Sequence, residues 1–185
     1  MPTGRARSCL FNKQELQQVL SSMAADLAPW VRRIGSVVLV GVLRRGAPLA
    51  DALAGQLVSE QGCAPPLRLD LRVKRYADDL TLLYPDTHME EDPRQAEMEL
   101  AGRHVLVVDD VLYSGHSILK VVEHLARKQP ASIRVATFLF KPGAYQKNDP
   151  IDYVGLEVGN EFLIGYGLDY DGLGRNLPCI YKIED

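Results

Sequence analysis

The sequence predicts an α/β fold with a central, mainly parallel sheet flanked by helices. Short runs rich in valine and leucine, typical of strands buried on both faces, alternate with segments of helical periodicity. The length of 185 residues suits one domain, and 46% hydrophobic residues are enough for one core. Charged residues make up 24%, an ordinary share that argues against a disordered chain.

The first part of the chain predicts a capped helix followed by strand, helix and strand. Asn12 and Glu15 have the spacing of a capping box, and the apolar residues after them recur at helical intervals. Pro29 and Gly35 are expected to close that region. The strand, helix and strand that follow are predicted over residues 36–43, 48–58 and 67–73.

The second part predicts a long loop, a strand–turn–helix unit, another strand and a tail. Residues 74–101 are highly charged and lack a sustained period, so we expect a loop of the length that often serves as a lid. Strands are predicted over 104–108 and 132–140, with a helix between them. The glycine-rich tail over 142–185 is expected to form a small irregular lobe outside the sheet.

Charge and cysteine content restrict the classes of partner. The net charge is −3, which does not favour nucleic-acid binding, although a local basic patch stays open. The longest apolar runs are too short to cross a bilayer, and no secretory signal is visible. Cys9, Cys63 and Cys179 have neither metal-ligand nor disulfide spacing, so a cytoplasmic location is expected.

Residues 104–117 carry the clearest chemical signal. A buried strand delivers Asp109 and Asp110 to its carboxyl end, and a short turn leads into a helix. Ligands of parallel sheets bind at that end, and a helix N-terminus binds anions. The stretch predicts a phosphate at the turn, with hydroxyl donors from Ser114 and Ser117, and sugar hydroxyls on the carboxylates. The alternative is a polar turn with a solvated aspartate pair.

This stretch resembles the phosphoribosyl pyrophosphate (PRPP) signature of type I phosphoribosyltransferases. Residues 40–46, Val-Gly-Val-Leu-Arg-Arg-Gly, resemble the family's pyrophosphate loop. Residues 138–141 and 161–170, together with Arg175, resemble the base-binding lobe of hypoxanthine/guanine phosphoribosyltransferases. The blocks keep the family's order from about residue 37 onward, which is more specific than any single block.

The resemblance implies a single domain over residues 1–185 with a twisted, mainly parallel sheet. The core would span about 34–141, and a hood lobe about 1–11 and 142–185. A mobile lid over about 74–99, including Lys74, Arg75 and Tyr76, would close over the site and exclude water. Such proteins are expected to form homodimers or homotetramers, without RNA or membrane partners.

The resemblance also implies roles on the PRPP side of the site. Asp109 and Asp110 would hold the ribose hydroxyls, and Leu43 and Arg44 would contact pyrophosphate. Arg175 would neutralise the departing pyrophosphate. The turn that cradles the 5′-phosphate comprises Tyr113, Ser114, Gly115, His116 and Ser117. The implied Mg²⁺ ligands are Asp169, Asp109 and Asp110, and the implied catalytic residues are Asp110, Asp109, Tyr113 and Arg44.

On the base side, the resemblance implies recognition of a 6-oxopurine. Lys141 would donate to the exocyclic oxygen, Phe162 would stack on the ring, and Leu163 would contact the base edge through its backbone. The expected activity is purine salvage, in which PRPP and hypoxanthine or guanine give IMP or GMP and pyrophosphate with Mg²⁺.

Taken singly, each of these residues has an ordinary explanation. Lys141 could be a solvated strand end, and Phe162 could be a core residue. Asp169 and Arg175 could form a surface ion pair of little energetic consequence. Arg44 could be an exposed loop charge.

Tyr113 departs from the family pattern. Active 6-oxopurine transferases usually carry an aspartate there, near N7 of the purine, whereas a phenol with a pKa of about 10 is a donor and a weak base at neutral pH. The amino-acid sequence of this turn is close to that of the PyrR family of pyrimidine-operon attenuators. The alternative function is therefore a regulatory protein that binds PRPP or nucleotide with weak or no transferase activity.

Overall fold

The computed structural model describes residues 7–43, 46–74, 88–91, 98–146, 151–168 and 177–183. The elements, in chain order, are β1 (Arg7–Phe11), α1 (Lys13–Ile34), β2 (Val37–Leu43), α2 (Gly46–Ser59), β3 (Leu67–Lys74), β4 (His88–Glu91), β5 (His104–Leu112), α3 (His116–Ala126), β6 (Ser132–Phe140), a 3₁₀ turn (Pro142–Ala144), β7 (Tyr153–Glu157), β8 (Leu163–Ile164) and β9 (Ile180–Ile183).

The main sheet confirms the predicted fold class. Within the described residues its strand order is β4-β3-β2-β5-β6-β7, and all neighbours run parallel except β3 and β4. Alternate β5 residues enter two cores: Leu106 and Val108 pack in the core that α1 and α2 cover, and Val105 and Val107 in the core that α3 covers. A sheet covered on both faces explains the near-continuous apolar runs.

Helix α1 confirms the capping box but not the expected break at Pro29. The side chain of Asn12 accepts from the backbone N–H of Gln14 and Glu15, and the Glu15 carboxylate accepts from the N–H of Asn12. The helix runs through Pro29 and ends at Gly35, whose φ is +77°. Pro29 lies on the exposed face of the helix. Proline has no backbone N–H, so the carbonyl oxygen one turn earlier lacks its helical donor, and water can hydrogen-bond to that oxygen instead. Trp30 and Val31, which follow Pro29, are buried.

Two strands of the main sheet lie where the sequence predicted none. Strand β4 falls within the segment predicted as a loop and pairs antiparallel with β3 at the sheet edge. Strand β7 comes from the tail expected outside the sheet and pairs with β6. A Cβ on Gly155 in β7 would lie 2.6 Å from the Phe138 carbonyl oxygen and 2.8 Å from the Met23 sulfur, so α1 packs tightly there. Both strands are short and lack an apolar pattern, which explains the error.

The remaining strands form a small antiparallel sheet in the order β1-β9-β8. It joins the N-terminal strand to the end of the tail, with Arg7 opposite Ile183 and Leu163 opposite Lys182. Most of the predicted lid lies outside the described residues, as do Arg75 and Tyr76. None of the described helices is long and apolar enough to cross a membrane.

Candidate active site

The two adjacent carboxylates lie inside β5 rather than beyond its end. The strand continues to Leu112, which corrects the boundary at residue 108 predicted from the sequence. Asp109 pairs with Thr137 of β6, and its Oδ1 accepts from the backbone N–H of Asp110 at 3.1 Å. Both side chains are partly buried. Sheet pairing therefore fixes the backbone from which these carboxylates project.

The turn after β5 leads into the N-terminus of α3. Gly115 precedes the helix in the left-handed conformation, with φ +81°, and no side chain hydrogen bond caps the helix. The first N–H groups of a helix have no intrahelical acceptor, so this end is suited to an anion. His116 Nδ1 lies 3.1 Å from Ser114 Oγ, and Ser117 is exposed in the first turn. The start of α3 is therefore open to an anion, and the phosphate cradle predicted there stays a prediction.

Lys141 is buried, which rules out the solvated strand end considered above. Only 8% of the residue is exposed, and its Nζ donates to the Glu161 carbonyl oxygen at 2.6 Å. Its backbone N–H donates to the Leu112 carbonyl at 3.0 Å, which joins it to the end of β5. Its Nζ also lies 5.8 Å from the centre of the Tyr113 ring, within cation–π range.

Burial lowers the pKa of Lys141 from its ordinary value, and the Glu161 carboxylate opposes that shift. The ammonium group is therefore a desolvated donor whose charge a nearby carboxylate supports. A donor in such a place bonds strongly to a ligand oxygen, because little water competes for it.

Two aromatic side chains near Lys141 are exposed. Phe162, which follows Glu161, is 49% exposed, and Tyr113 is 56% exposed. Phe162 is therefore not a core residue, in contrast to the ordinary expectation for a single phenylalanine. Its carbonyl accepts from the Ile183 N–H, and Leu163 after it is buried in β8. The ring is exposed on a backbone that the small sheet holds in place.

Asn160 and Glu161, to which the sequence assigned no role, complete the surroundings of Lys141. A Cβ on Gly143 would lie 3.1 Å from the amide nitrogen of Asn160, and a Cβ on Gly159 would overlap the carboxylate of Glu161. These glycines let the two polar side chains pack closely between the end of β6 and the start of β8. The sequence signal was their position next to Phe162, in the block that carries the base-lobe resemblance.

The start of α2 packs against the same end of β5. A Cβ on Gly46 would lie 2.5 Å from the Val108 carbonyl oxygen and 3.6 Å from Asp109 Cα, so only glycine fits there. Leu43 ends β2 directly before this connection. Arg44, Asp169 and Arg175 lie outside the described residues, and their predicted roles stay predictions.

The described residues contain no group of three metal-ligating side chains. Asp109 and Asp110 nevertheless supply carboxylate oxygens of the kind that Mg²⁺ prefers, and Mg²⁺ is commonly held by one or two carboxylates together with substrate phosphates. The donor set therefore fits a magnesium ion that a phosphorylated substrate brings.

Comparisons with known proteins bear on the family of the chain. A family model described as a phosphoribosyl transferase domain matches residues 12–171. Hypoxanthine phosphoribosyltransferase of Haemophilus influenzae is 27% identical over 177 residues, covering 94% of this chain and 93% of that protein. Hypoxanthine-guanine phosphoribosyltransferase of Aquifex aeolicus is 38% identical over 92 residues, covering 50% of this chain and 52% of that protein.

Among solved structures, hypoxanthine phosphoribosyl transferase of Trypanosoma cruzi superposes with a TM-score of 0.84 at 24% identity, covering 100% of this chain and 94% of that one. This likeness shows that the two chains share a fold.

Proposed function

The chain belongs to the phosphoribosyl transferase domain family, and from that premise we propose that it transfers the 5-phosphoribosyl group of PRPP to hypoxanthine or guanine. The products would be IMP or GMP and pyrophosphate. The chain is a phosphoribosyltransferase; the choice of purine, the need for Mg²⁺ and the residue roles below belong to the proposal.

The observation that carries the purine assignment is the buried Lys141, whose ammonium group donates to the carbonyl of Glu161, the residue before the exposed Phe162. A 6-oxopurine presents a carbonyl acceptor to the ammonium group, whereas adenine presents an amino donor and would add no acceptor to the Glu161 carbonyl that Lys141 already has. A site built around a buried polar group rejects the analogue that fails to pair with it. Phe162 supplies an exposed ring on which a base can stack.

On the PRPP side, Asp109 and Asp110 would accept hydrogen bonds from the ribose hydroxyls, and the start of α3 would bind the 5′-phosphate. A carboxylate near the sugar ring also stabilises positive charge as the bond to pyrophosphate breaks. Mg²⁺, held by Asp109, Asp110 and Asp169, would neutralise part of the pyrophosphate charge. Arg44 and Arg175 would contact pyrophosphate, as the family resemblance implies.

Tyr113 keeps the regulatory alternative open. The Lys141 ammonium lies 5.8 Å from the centre of its ring, and the family resemblance implies an aspartate at this position, which would accept a proton or hydrogen bond from the base. A general acid–base contribution is about 10²–10⁴-fold, and its loss would slow transfer without preventing binding. A protein that binds PRPP or nucleotide with negligible turnover is therefore the second candidate.

A product assay tests the proposal. The purified protein is incubated with PRPP and Mg²⁺ and, separately, hypoxanthine, guanine, xanthine, adenine or uracil, and the products are separated by chromatography. The blank is the double variant Asp109→Ala/Asp110→Ala. A nucleotide of hypoxanthine or guanine is the expected product. Uridine monophosphate alone, or bound PRPP with no product from any base, would overturn the proposal in favour of the regulatory alternative.

The assembly and location stay predictions. A homodimer or homotetramer is expected, which light scattering of the purified protein measures. The cytoplasmic location rests on the cysteine pattern. RNA binding is not expected, and a gel shift at moderate salt would detect it, because binding through phosphates depends strongly on salt.

A further inference from the structure

Arg68 places a guanidinium group between the main sheet and α2. The residue lies in β3 opposite Leu39 of β2. Its Nη1 donates to the carbonyl oxygens of Leu39 at 3.1 Å and Leu69 at 3.3 Å. Its Nη2 donates to the Ala47 carbonyl in the first turn of α2 at 3.2 Å. One planar group therefore joins β3, β2 and α2.

Two carboxylates hold the guanidinium in that orientation. Its Nε donates to Asp51 Oδ1 of α2 at 2.8 Å, and its Nη2 lies 2.8 Å from Asp70 Oδ1 of β3. The side chain is 22% exposed. The rigid fork of arginine fixes direction as well as distance, which neither an apolar side chain nor a lysine would do.

Gly41 makes this approach possible. A Cβ on Gly41 would lie 2.9 Å and 3.0 Å from the two terminal nitrogens of Arg68 and 2.9 Å from Ala47 Cα. Any side chain at this point of β2 would therefore displace either the guanidinium or the first turn of α2. Gly41 belongs to the block that resembles the pyrophosphate loop, yet its contacts are with Arg68 and α2.

The hydrogen bonds to Leu39 and Ala47 span the connection between β2 and α2. They tie the middle of β2, at Leu39, to the first turn of α2. Since Gly46 in that turn packs against the Val108 carbonyl and Asp109 Cα, the same bonds also fix α2 relative to the strand that carries the carboxylates.

We propose that Arg68 is a positioning residue for PRPP: its guanidinium fixes the start of α2 against the carboxyl ends of β2 and β5, where the pyrophosphate and ribose groups bind. This inference rests on the proposed function. The inference concerns PRPP and not the base, because Lys141 and Phe162, which would hold the base, lie directly after β6 and directly before β8, whereas Arg68 joins β3, β2 and α2.

The test is steady-state kinetics of Arg68→Lys against both substrates. The KM for PRPP should rise about 10–100-fold, the range that small misplacements of binding groups produce, with the KM for hypoxanthine within about twofold of wild type. Gly41→Ala, which displaces the guanidinium, should give the same selective change. Asp51→Asn, which removes the charge of one carboxylate but keeps an acceptor oxygen, should give a smaller change.

Arg134→Met is the matched control. Arg134 is also a partly buried arginine of the main sheet that contacts a carboxylate, and it lies at the same level of the sheet as Arg68 but three strands away, in β6. Its contacts are with Asp152, Tyr153 and Trp30 rather than with α2. The Arg134→Met variant should be less stable than the wild type, with no change in the KM for PRPP or the KM for hypoxanthine. If Arg68→Lys does not fold, as judged by circular dichroism, Gly41→Ala and Asp51→Asn provide the same comparison.

The outcomes separate this inference from the proposed function. An active wild type whose Arg68→Lys variant shows equal changes in both KM values, or none, would overturn the inference and leave the function standing. If the wild type binds PRPP without turnover, the same selective loss is expected in the PRPP Kd by calorimetry. A wild type that neither binds PRPP nor forms product removes both the function and the inference.

Discussion

At the amino end of the main sheet, polar and aromatic side chains pair with one another. Arg134 donates to the Tyr153 hydroxyl at 2.7 Å and lies 4.7 Å from the centre of the Trp30 ring. Asp152 accepts from the Val135 N–H at 2.8 Å, and His104 Nδ1 lies 2.7 Å from Ser132 Oγ. Each of these contacts is made within the protein, so this end contributes to stability.

The carboxyl end uses similar residue types in a different way. Lys141 is desolvated, two aromatic rings are exposed, and the start of α3 has no side-chain cap. These features lower the free energy of unfolding in the absence of a ligand, and a bound ligand can raise it again. Residue type alone therefore does not separate structural polar groups from functional ones. What separates them is how completely the rest of the fold satisfies their hydrogen bonds and charges.

Tyr113→Asp should have the largest effect at the carboxyl end. With PRPP saturating, kcat for hypoxanthine should rise, by up to about 10²–10⁴-fold, because the new carboxylate can accept a proton or hydrogen bond. Tyr113→Phe is the control, which keeps the ring over Lys141 and should stay within a few-fold of wild type. A wild type that already turns over at about 1–10³ s⁻¹, with no gain in Tyr113→Asp, would show that tyrosine is fully competent.

Lys141→Met should impair use of the base by about 10–100-fold in kcat/KM for hypoxanthine, the equivalent of one hydrogen bond to a charged group. The PRPP Kd, measured by calorimetry, should not change. Equal losses for base and PRPP would contradict the assignment of Lys141 to the base side.

The pH dependence of stability, compared between the wild type and the same variant, tests whether Lys141 is desolvated. Because its pKa is lowered on folding, the folded chain releases this proton at a lower pH than the unfolded chain. The free energy of unfolding of the wild type, relative to Lys141→Met, should therefore rise with pH in the range just below the ordinary lysine value of about 10.4. Urea unfolding at several alkaline pH values measures this difference, and a falling difference would contradict it.

Phe162→Ala should raise the KM for hypoxanthine about tenfold, through lost stacking, with little change in Tm because the ring is half exposed. Phe138→Leu is the buried counterpart, since Phe138 stacks on Tyr166 with ring centres 5.5 Å apart. It should lower Tm and leave the KM for hypoxanthine unchanged. A large loss of Tm in Phe162→Ala would make Phe162 a structural residue.

At the amino end, Arg134→Met should lower the free energy of unfolding by about 1–2 kcal/mol, because it breaks contacts with Tyr153 and Trp30. Denaturant unfolding measures this effect. Kinetic constants should stay at the wild-type values. A change in either KM would mean that the two ends of the sheet are coupled.

Sequence periodicity predicted the elements that bury a regular apolar face. Strand β6 has the predicted bounds, and the capping box at Asn12 starts α1 as expected. Strands β4 and β7 were missed because pairing with a neighbouring strand, rather than their own apolar pattern, holds them in the sheet. The path of α1 through Pro29 likewise depended on which face of the helix is exposed.

The sequence by itself determined the α/β class and the strand–turn–helix unit that carries Asp109, Asp110 and Gly115, because these follow from local periodicity and turn chemistry. Tertiary structure alone decided that Lys141 is buried against Glu161 while Phe162 is exposed, and that Arg68 joins β2, β3 and α2. Burial and charge pairing depend on residues distant in the chain, and the spacing of one segment carries no information about what packs against it.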